Sequence, residues 1–394
     1  MRFAHWVPNV SGGLVVSKVQ QRTDWSLDYN IKLAQIAEAA GFEYALTQVR
    51  FMGSYGAEYQ HDSMIFSAAI LAATRRLKII SAVLPGIFHP AVIAKQGATA
   101  DQIFNGRWCV HVASGWNRAE YDALGIDWPE HDERYHRSRE FIDILRGSWT
   151  KDRFSYDGQY WQISDFTLRP KPLDLPDRPA PEIFQGGNSR AAQEMAAAVS
   201  DWYLMNGDAR ERLKAQIDNV SALAKRTNRV VKFGVNAFVI ARETEDEARS
   251  ELERIVRSAD TEAVEDFSDA VKEAGQATSE REGMWVNSSL RDLVQYNDGF
   301  KTNLVGTPEQ IAQRIYELRK IGVDLIICGF LHFHDEVKFF GERIVPLVRD
   351  IERSEGLSSS TGSENRSTGV PAISHGSSVP PRLVSLAGLT DKPR

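Results

Sequence analysis

The chain has 394 residues, 42% of them hydrophobic, enough for one large domain or two ordinary ones. A net charge of −6 argues against a broad nucleic-acid surface, and no apolar run reaches membrane-spanning length. The two cysteines, Cys109 and Cys328, lie far apart inside apolar runs, which suits buried thiols of a reduced protein better than a disulfide or a metal site. Met1 to Val7 interrupts its apolar residues with His5 and meets Pro8, so it does not read as a signal peptide, and a cytoplasmic protein is the expectation.

Phe3 to Val7 reads as a short strand ended by Pro8-Asn9 and the Gly12-Gly13 loop. Tyr29, Leu33, Ile36 and Ala40 mark one helix face, stopped by Gly41. A strand from Glu43 to Thr47, a helix from Met64 to Thr74 and a strand from Leu77 to Leu84 follow. Pro90 starts a helix to about Phe104, Trp108 to Ala113 is a strand, and Arg134 to Trp149 a helix. Phe154 to Leu168 has hairpin-like spacing and leads into the Pro-rich 169–181 stretch. The alternation resumes with a strand at Ile183, a helix after Gly187, a strand at Asp201 to Met205 and a helix lined by Leu213, Ile217, Val220 and Leu223. Val230 to Ile240 is a long strand and Glu243 to about Ser258 a charged helix.

Asp260 to Asn303 has weak periodicity and many polar residues, so a functional lid or a disordered insert is expected there. Thr307-Pro308-Glu309-Gln310 is a capping box with Pro at the first helical position, opening a helix that runs to Gly322. Val323 to Phe330 is the last strand, and a helix from about Glu336 to Ile351 closes the fold. From Ser354 onward Ser, Gly, Pro and Thr dominate and no aromatic occurs. Residues 353–394 are therefore expected to be a disordered, low-complexity tail, and 1–352 one domain with a lid insertion at about 260–303.

Eight strands alternating with helices over about 350 residues predict an α/β fold, a (β/α)8 TIM barrel with insertions. A doubly wound open sheet is the alternative, and no Gly-x-Gly-x-x-Gly follows the first strand. In such a barrel the site lies at the C-terminal ends of the strands. The fifth strand ends in Phe184-Gln-Gly-Gly-Asn-Ser189 and runs straight into a helix, a junction whose free N–H groups and dipole suit a phosphate. The rest of the mouth is aromatic and lacks an acid–base pair, a Ser/His/Asp set or clustered metal ligands, so no metal is expected. An aromatic mouth with a phosphate turn suits a flat phosphorylated cofactor that carries the chemistry itself, and flavin mononucleotide fits.

Val112-Ala-Ser-Gly-Trp116, His131-Asp-Glu-Arg-Tyr135 and Phe184-Gln-Gly-Gly-Asn-Ser189 occur in one order along the chain. In these segments the chain resembles the bacterial-luciferase-like two-component flavin monooxygenases, over roughly residues 1 to 350. Trp6 to Ser17, Arg22-Thr-Asp-Trp25 and Tyr44-Ala-Leu-Thr-Gln48 are similar to the opening of the subgroup that oxidises dimethyl sulfone with reduced FMN. The resemblance implies flavin contacts at Thr47, Gln48, His111, Ser114, Glu120, Tyr135, Gly187, Asn188 and Ser189, with His111 standing where the subgroup usually has Asn.

Relatives that cleave alkanesulfonates carry basic and phenolic groups where this chain has Val10, Asn236, Phe238, Gln295 and Phe330. That departure implies a small neutral substrate, with Arg50 and Lys95 the nearest cations. Trp6, Phe238 and Phe330 are expected to wall the substrate, Asn9 and Asn236 to donate hydrogen bonds to it, and His332 to handle protons. The implied reaction uses FMN as FMNH2, with O2 as cosubstrate, to turn dimethyl sulfone into methanesulfinate and formaldehyde. A separate NAD(P)H-dependent FMN reductase is the expected partner, and a homo-oligomer, dimer or tetramer, the expected assembly. Oxygenation of another organosulfur compound such as an alkanesulfonate, or flavin binding without catalysis, are the alternatives.

Overall fold

Twelve strands and the helices between them define the architecture of this computed structural model, which describes residues 1–53, 56–176, 178–276, 285 and 287–356. The strands are β1 (Arg2–Val7), β2 (Tyr44–Thr47), β3 (Lys78–Val83), β4 (Trp108–Val112), β5 (Phe154–Asp157), β6 (Gln162–Phe166), β7 (Ile183–Gly186), β8 (Trp202–Met205), β9 (Lys232–Phe238), β10 (Ile240–Ala241), β11 (Val305–Gly306) and β12 (Leu325–Gly329). Eight of them close a parallel barrel in the order β1-β12-β9-β8-β7-β4-β3-β2. These are the eight strands expected from the sequence, and closure excludes the open-sheet alternative.

Strand periodicity explains the packing. Side chains alternate between barrel interior and helix layer, so residues two apart share a face. Tyr44 and Leu46, Phe184 with Gly186, Trp202 and Leu204, and Leu325 and Ile327 face inward. Their neighbours Ala45, Ile183, Tyr203 and Ile326 pack against the helices. Both faces are apolar, which is why these strands read as continuous hydrophobic runs. Phe184 stacks on Trp202 with ring centres 5.2 Å apart and fills the barrel's middle layer.

The N-terminal end of the barrel is sealed by one buried carboxylate. Glu182 accepts from Tyr44 Oη at 3.0 Å, Lys78 Nζ at 2.9 Å and Trp202 Nε1 at 2.9 Å, with Lys232 Nζ at 3.6 Å. Burial alone would raise its pKa, but the two lysines and these hydrogen bonds outweigh that and hold it at about 2.

The predicted hairpin is present as the antiparallel pair β5–β6. Thr307 caps helix Pro308–Lys320 by accepting from Gln310 N, and the Gln310 side chain returns the bond, as the capping-box pattern implies. Two regions add detail to the sequence expectation. Within the 260–303 insertion the described residues include helix Thr261–Gln276, which buries Val264, Phe267 and Val271, and a short helix, Leu290–Leu293. The closing helix is broken into Phe333–Phe339, a π-helical turn at Phe340–Ile344, and Val345–Ser354. Pro346 has no N–H to continue an α-helical ladder, so the register changes just before it. The tail expectation lies, from 357 on, outside the described residues. Among the described residues no helix is long and apolar enough to cross a membrane.

Candidate active site at the barrel mouth

The C-terminal ends of the strands open into a cavity whose floor is set by strand parity. Trp6 of β1, Ala82 of β3, His111 of β4 and Gly186 of β7 are inward positions of their last turns, and all four line the cavity. Thr47 at the end of β2 and Gln48, Val49 and Arg50 after it form one side, and Ala113 to Trp116 follow β4. His131, Arg134 and Tyr135 come from the first turn of helix His131–Thr150. The insertion supplies the remaining wall through Phe267, Val271, Trp285, Tyr296 and Asn297.

The phosphate-type turn is built as the sequence suggests. Gly187 has φ +132°, a conformation that L side chains rarely adopt, so glycine is required there. Ser189 caps helix Arg190–Val199 by accepting from Ala192 N at 3.3 Å. Tyr203 Oη, reaching from β8, donates to Gly187 O, and the Tyr135 hydroxyl packs so closely on Gly187 that a Cβ there would meet it. The turn is thus held from two sides beside the cavity wall formed by Tyr135 and Gly186.

Several buried polar atoms around this mouth have no hydrogen-bond partner among the described residues: His111 Nε2, Gln48 Nε2, Asn188 Oδ1 and Arg134 Nε. Buried polar groups are normally satisfied, and three of these belong to residues that line the cavity, Gln48, His111 and Arg134, where a polar-edged ligand would satisfy them. Burial lowers the His111 pKa to about 4, so the ring is neutral near pH 7 and offers either a donor or an acceptor.

The cofactor positions inferred by resemblance divide into two groups. Gln48, His111, Ser114 and Tyr135 line the cavity, and Gly187, Asn188 and Ser189 form the adjoining turn. Thr47 also reaches the wall, but its hydroxyl is engaged with Ser67 Oγ at 2.9 Å. Glu120 stands behind the wall. Its carboxylate accepts from Phe51 N at 2.8 Å and Met52 N at 3.3 Å, and burial raises its pKa against these bonds and against Arg50.

The substrate positions are more scattered. Trp6 lines the cavity and donates through Nε1 to Asn236 Oδ1 at 3.0 Å, while Asn236 Nδ2 donates to Met205 O. Asn9 is a fully buried staple instead of a donor to substrate: its amide bonds to Gln48 O and His61 O, and Gln48 N donates to its Oδ1. Phe238 does not wall the cavity, because it is covered by Phe300, whose ring centre is 5.3 Å away. Phe330 falls on the wrong face. Leu325 and Ile327 point inward, so Phe330 points outward, against Phe42, Phe333 and Phe340. His332 likewise lies outside the mouth, in a separate cleft with Arg242 and Phe339, where Nδ1 accepts from Arg22 N at 3.1 Å.

The cation positions need correction too. The neutral positions Val10, Phe238, Gln295 and Phe330 are not cavity wall, whereas Arg50 is. Lys95 is elsewhere, donating to Arg169 O. The insertion's aromatic wall was missed, although Val264, Phe267 and Val271 fall at helical spacing and could have revealed it. Among the described residues no group of His, Cys, Asp or Glu could hold a metal ion.

Comparison with known proteins agrees with this geometry. The family profile for luciferase-like monooxygenases matches residues 1–325. The chain is 59% identical over 352 residues to a protein of Pseudomonas fluorescens named FMNH(2)-dependent dimethylsulfone monooxygenase, covering 89% of this chain and 95% of that one. A protein of the same name from Pseudomonas putida is also 59% identical, over 90% of this chain and 96% of its own. Among solved structures, a long-chain alkane monooxygenase superposes with a TM-score of 0.75 at 19% identity, over 90% of this chain and 92% of that chain. An EDTA monooxygenase from Chelativorans sp. does so with a TM-score of 0.75 at 18% identity, over 89% of this chain and 94% of that chain. At such identities these structures speak for the fold alone. The closed barrel, the phosphate-type turn after β7 and the match over most of the sequence together mean that the chain belongs to the luciferase-like monooxygenase family.

Proposed function

We propose that this protein is a reduced-FMN-dependent monooxygenase that converts dimethyl sulfone to methanesulfinate and formaldehyde. The observation that carries the reading is the high identity, across almost the whole chain, to the two dimethylsulfone monooxygenases. In balanced form, dimethyl sulfone, O2 and reduced flavin give methanesulfinate, formaldehyde, oxidised flavin, water and a proton.

The mouth fits that cofactor. The Gly187–Ser189 turn, at the N-terminus of helix Arg190–Val199, suits the phosphate, and Tyr135 stands beside it. The unpaired Gln48 Nε2 and His111 Nε2 suit the polar edge of a flat ring system. When bound, reduced flavin supplies the activation of dioxygen that this chain's own side chains lack. The protein's part is to bind, orient and keep water out. Phe267, Val271, Trp285 and Trp116 make the outer wall apolar, and the Asn236 amide fixes the plane of Trp6.

A separate reductase delivers the flavin in this reading, since the relatives are named for their dependence on FMNH2. Two buried free thiols fit a cytoplasmic setting, and a homo-oligomer remains the proposed assembly. The test supplies reduced FMN enzymatically and measures formaldehyde from dimethyl sulfone beside sulfite from methanesulfonate. Formaldehyde release well above sulfite release supports the reading. Comparable turnover of both would make the enzyme an alkanesulfonate monooxygenase instead.

A further inference from the structure

A neutral substrate does not call for a fixed cation, yet the cavity wall carries one on the side away from the phosphate-type turn. Arg50 lies just past β2, and β3 and β4 separate β2 from β7 in the barrel order. Its guanidinium carbon is 5.4 Å from the Trp116 ring centre and 5.1 Å from that of Tyr296. Glu120 holds the chain immediately after it, through Phe51 N and Met52 N. The charge is therefore positioned between two aromatic faces and against a clamped backbone, at the cavity and not out in bulk water. The other arginine of the wall, Arg134, lies over Trp128 and donates to Gly115 O, next to Tyr135.

The reaction proposed above changes charge: dimethyl sulfone is neutral and methanesulfinate is an anion. Oxygenation of one methyl group gives hydroxymethyl methyl sulfone. In its collapse the C–S bond breaks with its electron pair passing to sulfur, the hydroxyl proton leaves, and the C–O bond becomes the carbonyl of formaldehyde. The negative charge appears on the two sulfinate oxygens, a geometry that a planar guanidinium matches with two parallel N–H donors. We propose that Arg50 is the anion site of the mouth and receives the sulfinate charge as the C–S bond breaks. A donor aimed at charge that develops late accelerates that step without tightening the neutral substrate. This inference rests on the dimethyl sulfone reading for its chemistry, but its binding test does not.

The test uses FMN-loaded protein, wild type and the variants Arg50→Gln and Arg50→Lys, titrated separately with sodium methanesulfinate and with FMN. Loss of one charge-assisted contact is expected to weaken methanesulfinate binding by roughly tenfold or more in R50Q. R50K keeps the charge without the fork and is expected to stay within about threefold of wild type. FMN affinity and the KM for dimethyl sulfone are expected to change little, while kcat for formaldehyde release falls in R50Q. Equal methanesulfinate affinity in wild type and R50Q overturns the proposal, as does absence of methanesulfinate binding to wild type. A parallel loss of FMN affinity also overturns it, because Arg50 would then serve the cofactor. If wild type binds methanesulfinate through Arg50 but releases no formaldehyde, the anion site stands and the dimethyl sulfone reading falls.

Discussion

The polar groups that point into this barrel are met differently at its two ends. At the N-terminal end Glu182 is met by Tyr44, Lys78 and Trp202 within 3.0 Å. At the mouth His111 Nε2 and Gln48 Nε2 have no partner among the described residues. The contrast runs along single strands: Cys109 of β4 lies near Glu182, and His111, two residues on, lies at the cavity. A polar group that already has its partners contributes to stability, whereas one left without them contributes to binding. Substitutions at the two ends should therefore separate stability from flavin affinity.

The largest effect is expected at the satisfied end. Glu182→Ala strands Lys78 and removes acceptors from Tyr44 and Trp202, and should cost about 3 kcal/mol of unfolding free energy in denaturant titrations. FMN affinity should be unaltered in the folded variant. The pH dependence follows from the sign of the shift. The Glu182 carboxyl titrates at about 2 when folded against an ordinary 4.5, so its stabilisation is present above about 4.5 and is lost as pH falls toward 2. The gap between wild type and Glu182→Ala should close over that range. A gap independent of pH would mean that packing, not charge, holds this end together.

Next comes the mouth. Ser189→Asp places an acid against the phosphate while remaining a good helix cap, so stability should hold and FMN affinity should fall by about a hundredfold. Unchanged affinity by fluorescence titration would move the phosphate elsewhere. His111→Phe should weaken FMN binding by roughly tenfold, the size of one lost hydrogen bond, and His111→Asn should restore most of it. Because His111 titrates near 4, FMN affinity should show no step from it between about pH 5.5 and 8. Its neutral form is the folded form, so protonation subtracts stability as pH falls from about 6.5 toward 4. The smallest effect belongs to neither end: Thr307→Ala removes a helix cap and should cost about 1 kcal/mol, with no change in flavin binding.

What was legible in the sequence follows the same division. The eight barrel strands, the helix starts at Pro90 and Pro308 and the Gly187–Ser189 turn depend on local pattern, and each is where the pattern implies. Side-chain duties that depend on tertiary partners were not legible. Asn9 is consumed by Gln48 and His61, and Glu120 by Phe51 and Met52, partners that the sequence does not announce. Phe330 is an intermediate case. Its outward direction follows from the alternation that points Leu325 and Ile327 inward, but its nearness to a strand end suggested the mouth. His332, close to the same strand end, accepts from the Arg22 backbone instead. The helix at Thr261–Gln276 is hidden by its polar composition, yet three buried apolar residues at helical spacing carry it.

The central claim is that the barrel mouth is where reduced FMN and dimethyl sulfone meet. The most direct measurement follows O2 consumption and formaldehyde together in wild-type protein supplied with reduced FMN, with and without dimethyl sulfone. The account predicts one formaldehyde and one methanesulfinate for each dimethyl sulfone consumed, with no formaldehyde when the sulfone is left out. Flavin binding with O2 consumption that dimethyl sulfone does not change, and no formaldehyde, would contradict it and leave a protein that binds flavin without oxygenating this substrate.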